Sequence, residues 1–231
     1  MNNEQYVTEL LAEEATNVFG KLGRAYLKAI RKVLKTQNQN DKSFLFQTLD
    51  CMTLEEGYSL GLRLAEDKGM GDESWFFVYE TEKGPEEYLS RINYITAHFV
   101  DHITYDHILV QRTEMGAWQA YLYTVAKTVL PTFWHGGYIV RKYIFKHDDL
   151  NDVPALLVDC IDDQVLFGIK EKVSPEIKMQ GNEAIVKCCY WNEWRGLVRD
   201  TVKILFDGNS IVGFEPLNLE VLYEYNCGIC F

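Results

Sequence analysis

The sequence predicts an α+β fold in which N-terminal helices pack on one face of a C-terminal antiparallel β-meander sheet. Three observations carry this expectation. Apolar residues recur at helical spacing up to about residue 130. From residue 136 onward, β-branched and aromatic runs alternate with turn signals. The connections between those runs are short, which suits antiparallel neighbours rather than parallel crossovers. The link "LPTFWHGG" is brief and aromatic. Residues 1–231 are therefore expected to form a single α+β domain, with 1–130 mainly helical and 136–231 mainly antiparallel strands.

The first helix is expected over residues 4–35, where Val7, Leu10, Leu11, Val18, Leu22, Tyr26, Ile30 and Val33 make one apolar stripe. Gly20 and Gly23 are candidate kink positions. Acids crowd its first half and bases its second, matching the helix dipole. "TQNQNDK" reads as a loop. Thr53 and Glu56 have capping-box spacing, predicting a helix over "LEEGYSLGLRLAED". "WFFVYE" is too short for periodicity to separate a strand from a buried helical piece. Pro85 with Glu86 and Glu87 opens a helix over "GPEEYLSRINYITAHFV", and another is expected from about Asp106 to Val129. Pro131 and the Gly136-Gly137 pair close the helical half.

Strands are expected in "YIVRKYIF", "ALLVDC", "QVLFGIKE", "EAIVKCCYW", "LVRDTVKILF", "SIVGF" and "EVLYEY". Asp207-Gly208 between two of these runs is a hairpin signal, and "WNEWRGL" is a second turn.

A chain of 231 residues with 47% hydrophobic content can bury a sizeable core without disulfide staples. Its net charge of −11 argues against a nucleic-acid partner, which needs a positive surface. The expected partner is another protein. No run has the length of a membrane span, and the opening "MNNEQYVTELLAEE" is unlike a secretory signal. A cytoplasmic location with reduced cysteines is expected.

Several residue groups can carry chemistry. In "AHFVDHITYDHIL", His98 and His102 stand one helical turn apart and Asp106 one turn further, a spacing that can hold a divalent metal such as Zn. Asp101 is then a candidate base for a metal-bound water. Against this, the H-E-x-x-H pattern is absent and His107 falls on the opposite side, so the plainer reading is a polar helix face with one histidine turned inward. No other cofactor is expected.

Lys21, Arg24, Lys28, Arg31, Lys32 and Lys35 lie on one helical face with no acid among residues 21–35. This is a candidate docking stripe for an acidic partner, or else a solvated face. A ligand pocket is expected around Tyr190, Trp191, Asn192, Trp194 and Asp200. The strand period puts Asp200 on the same face as Val198, Val202, Ile204 and Phe206, and a core-facing carboxylate needs a partner or shifts its pKa.

Cys188 and Cys189 point to opposite faces of a strand, and Cys227-Gly-Ile-Cys230 has no second CxxC, so buried structural thiols are expected. Asp148, Asp149, Asp152, Asp159, Asp162 and Asp163 lack the EF-hand pattern and read as solvated turns. No P-loop or G-x-G-x-x-G is present. The reading that the sequence favours is a non-enzymatic protein-binding or inhibitor-like module. The alternatives are a metal-dependent hydrolase using His98, His102 and Asp106, and a small-molecule pocket between sheet and helices.

Overall fold

The computed structural model describes residues 18–32, 43–63, 75–91, 105–129, 141–153 and 163–225. Helix α1 covers 18–32 and α2 covers Ser43–Thr48. Strands β1 (Met52–Leu54), β2 (Tyr58–Arg63) and β3 (Trp75–Glu80) precede α3 (Gly84–Arg91). Then come β4 (Ile108–Val110), α4 (Glu114–Val129), β5 (Lys142–Ile144) and a 3-10 helix over His147–Asp152. Helix α5 (Asp163–Lys170) leads into β6 (Glu176–Gln180), β7 (Glu183–Asn192), β8 (Gly196–Asp207) and β9 (Ser210–Tyr223). Among the described residues, no helix is long and apolar enough to cross a membrane.

The fold is α+β, built on a seven-stranded antiparallel sheet in the order β1-β4-β9-β8-β7-β5, with β6 also on β7. Strands β6 and β5 share one edge of β7, at Glu183–Lys187 and Cys189–Trp191 respectively. The β7–β8–β9 meander is its backbone. Three register shifts in the β8–β9 ladder curl the sheet, because each bulge bends its strand. Strands β2 and β3 form a separate two-stranded antiparallel sheet.

Helix α4 is the centre of the core. Every residue from Ala117 to Tyr123 is buried, and so are Val125 and Ala126. A helix apolar on all sides must be covered on all sides. Trp118 and Tyr121 face the sheet, where Trp118 meets Phe145 edge-on. Tyr123 stacks on Phe46 and Phe76 on another side. Trp118 also donates its indole N–H to the Phe19 carbonyl at 2.9 Å, tying α1 to α4. Gln119, fully buried, accepts from the Cys51 N–H and donates to Asp50, both at 2.7 Å. That pair of bonds satisfies a polar side chain the core would otherwise exclude.

Four sequence expectations are corrected. The helix expected over "LEEGYSLGLRLAED" is a turn followed by β2. Gly57 takes φ +86° in that turn, and Gly61 lies opposite Phe77, whose ring occupies the space a Cβ would fill. Cross-strand packing there overrides the local capping signal. The helix expected from Asp106 begins at Glu114, because Ile108 and Val110 bury themselves as β4. Thr113 caps the helix by accepting the Gly116 N–H at 3.0 Å. "QVLFGIKE" is helix α5 rather than a strand: Ile169 is buried while Val165 and Phe167 stay exposed. Finally, Gly20 and Gly23 do not split α1. Gly23 lets the Phe145 ring lie where a Cβ would come within 2.6 Å of it.

Candidate functional site

The sheet has two covered faces, and strand parity assigns each residue to one of them. Val186, Cys188, Tyr190, Val198 and Ile204 belong to the α4 face, with Tyr143 beside Tyr190 on the neighbouring strand. Cys189, Trp191, Leu197 and Ile144 belong to the far face, covered by Leu150, Val153, Ile169 and Val173. Both faces being covered explains why β7 is buried without a break from Cys188 to Asn192.

On the α4 face a polar cluster interrupts the apolar packing. Asp200, opposite Cys188 in the ladder, has a side chain only 13% exposed. Arg141, just ahead of β5, places Nη1 3.6 Å from Asp200 Oδ2 and its guanidinium carbon 4.3 Å above the Tyr190 ring. The first distance is an ion pair but too long for a hydrogen bond. The second is a cation–π contact. Tyr143 hydrogen-bonds Arg141, and Tyr121 reaches the cluster from α4. The Tyr121 hydroxyl is fully buried beside the Cys188 thiol and makes no hydrogen bond of ordinary geometry among the described residues.

The electrostatics follow from burial. Desolvation pushes the Asp200 carboxyl above its ordinary value, against the pull of Arg141 and of the Thr201 N–H. Burial works against the charge on Arg141, but its contacts with Tyr143 and Tyr190 outweigh it and its pKa is raised. Desolvation likewise raises Tyr190, Tyr121 and Cys188. A half-buried acid with a perturbed pKa beside a stacked arginine is an arrangement that can hold a polar ligand group. Next to it, Leu219 pairs with Asp200 and Val221 with Val198, so both aliphatic side chains share this face; they are 38% and 49% exposed. The polar pair thus opens beside an uncovered apolar shelf on β9.

The sequence-derived pocket residues separate. Tyr190 and Asp200 lie together on the α4 face. Trp191 lies on the far face, donating to Glu193 at 3.0 Å and packing on Tyr225. Asn192 accepts the Trp194 N–H at 2.9 Å within the β7–β8 turn, and Trp194 is exposed there. Sequence alone does not single out Arg141. Its alternation with Tyr143 in "VRKYIF" is the available signal, but only the β5–β7 pairing brings it to Asp200.

Of the proposed metal ligands, His98 and His102 lie outside the described residues, as does Asp101. Asp106 is exposed in the turn before β4. Among the described residues, no group of three His, Cys, Asp or Glu side chains is placed to hold a metal ion. His107 adopts φ +63°, stacks on Tyr58 at 3.6 Å and lies 2.8 Å from Glu55 Oε2 through Nδ1, partly exposed rather than turned inward. His135 lies outside the described residues, and His147 is exposed beside Asp148.

Lys21, Lys28, Arg31 and Lys32 are exposed along α1, whereas Arg24 is partly buried with Nη1 3.8 Å from Asp149. Lys35 lies outside the described residues. Cys188 and Cys189 are both buried, on opposite faces; burial pushes Cys189 up to about 12. Cys227 and Cys230 lie outside the described residues. In the acidic run, Asp148 pairs with Lys146, and Asp149 accepts the Phe145 and Lys146 N–H groups. Asp152 ends the 3-10 helix, Asp163 opens α5, and Asp159 and Asp162 lie outside the described residues.

No family model, curated protein or solved structure matches the chain.

Proposed function

We propose that the chain binds a small molecule on the α4 face of its sheet, at Arg141, Tyr190 and Asp200. One observation carries the reading. A half-buried carboxylate and a stacked, partly exposed guanidinium face each other at 3.6 Å without a hydrogen bond, next to exposed Leu219 and Val221. Structural ion pairs in protein interiors need good hydrogen-bond geometry to offset desolvation. A loose pair at the edge of an open shelf keeps bonding capacity for something that arrives from solvent.

The cationic side of α1 supports the protein-partner reading through the exposure of Lys21, Lys28 and Arg31. It is the weaker support, because exposed lysines on a helix are what any solvated face presents.

The test is a mixed fragment set screened by protein-observed NMR against the full chain. Binders should perturb the Tyr190 and Tyr143 rings and the Arg141 Nε signal, and Arg141→Ala should lose those responses. Binders that map only to other surfaces, or responses that survive Arg141→Ala, would sink this reading.

A further inference from the structure

The charges at the proposed site constrain what can enter it, and this inference rests on that site being a ligand site. Arg141 Nη1 and Asp200 Oδ2 lie 3.6 Å apart, so any polar head that touches one sits close to the other. An anionic head attracted by the guanidinium is repelled by the carboxylate. A cationic head meets the reverse. In each case the two terms oppose at nearly equal distance, while the head still gives up its hydration. A neutral head with an acceptor next to a donor has no such conflict. Its acceptor takes an Arg141 N–H, and its donor goes to Asp200.

The geometry suits one group well. Stacking on Tyr190 covers a face of the guanidinium and Tyr143 takes one hydrogen bond, while Nη1 faces Asp200 without bonding it. In a carboxamide, O and N are bonded to one carbon and lie about 2.3 Å apart. Two bonds of ordinary length can fan out from that edge to protein atoms 3.6 Å apart. Asparagine and glutamine side chains use the same donor–acceptor edge in bidentate recognition. The body of the ligand is set by the shelf. Leu219 and Val221, exposed on the same face, offer apolar contact.

We infer that the ligand carries an uncharged carboxamide-type head, an acceptor beside a donor, on a small apolar body. Three probes share one ring and differ only in the head: benzamide, benzoate and benzylamine. Each is titrated into the full chain near neutral pH, with Tyr190 and Arg141 signals as readout. Benzamide should bind at least ten-fold more tightly than either charged probe. Asp200→Asn removes the negative member of the pair, so the preference should move at least ten-fold toward benzoate. Benzoate or benzylamine matching benzamide on the natural chain overturns the head assignment and leaves the site standing. Mixed-set fragments that bind here while benzamide does not also overturn the head and spare the site. No response from the probes or from the mixed set at this face overturns the assignment and the site together.

Discussion

Arg199 and Asp200 are neighbours on β8, yet they point to opposite faces and belong to two different arginine–carboxylate pairs. On the far face, Arg199 bonds Glu176, which also accepts from Lys187 at 3.2 Å. On the α4 face, Asp200 has Arg141 at 3.6 Å as its one cation among the described residues. Glu176 stays 42% exposed while Asp200 is 13% exposed. Burial raises both carboxyls, but for Glu176 the hydrogen bonds and charges of Arg199 and Lys187 prevail and hold it below its ordinary value. For Asp200 burial prevails and the carboxyl is raised. Opposite charge is therefore not what distinguishes a finished ion pair. The number of hydrogen bonds and the access of water decide it.

The sharpest way to break this comparison is to delete each arginine. Arg199 is 8% exposed and lies across the far face, so Arg199→Ala removes packing as well as a charge-assisted contact to Glu176. The expected loss is about 2 kcal/mol. Arg141→Ala should cost about 1 kcal/mol or less, since it also relieves the desolvation of the guanidinium and Asp200 can take up a proton. Urea unfolding of both variants gives the order. A larger loss at Arg141 would mean that the α4-face pair is the structural one.

A smaller effect separates the pairs by pH. Glu176 has a lowered folded value, so its contribution is present above its ordinary 4.5 and is lost as pH falls through the folded value. Asp200 has a raised folded value, so its contribution is complete below its ordinary 3.8 and is lost as pH rises through the folded value. Glu176→Gln should therefore reduce the acid-side loss of stability. Asp200→Asn should remove a decline on the neutral side. Urea midpoints taken across the acid range should show these slopes with opposite sign. Matching slopes would erase the difference between the faces.

How far the sequence could reach follows the same logic of partners. The meander β7–β8–β9 was legible because its strands are long, alternate with period two and flank a plain Asp-Gly turn. Asp200's inward direction was legible from that alternation alone. Strands β1 and β4 were not, because three residues give no period and Thr53 with Glu56 imitates a helix cap. In α5, Val165, Phe167 and Ile169 imitate a strand, although only Ile169 is buried. Arg141 depends on which strand lies beside β7, and no local pattern encodes that.

The smallest effect tests the α4 face most directly. Tyr121 places a fully buried hydroxyl beside Cys188, within electrostatic reach of Asp200 and Arg141, and it makes no hydrogen bond of ordinary geometry among the described residues. A buried hydroxyl without a partner costs free energy, whereas phenylalanine keeps the ring and its stacking on Trp118 at 5.5 Å. Tyr121→Phe should then be neutral or should stabilise by up to about 1 kcal/mol. Calorimetry on the ligand-free chain reads this as an unchanged or raised Tm. A drop of more than about 1 kcal/mol would show that the hydroxyl is satisfied, by the thiol or by an ordered water. Arg141 and Asp200 would then border a satisfied hydroxyl, and the contrast between the two faces would rest on their ion pair alone.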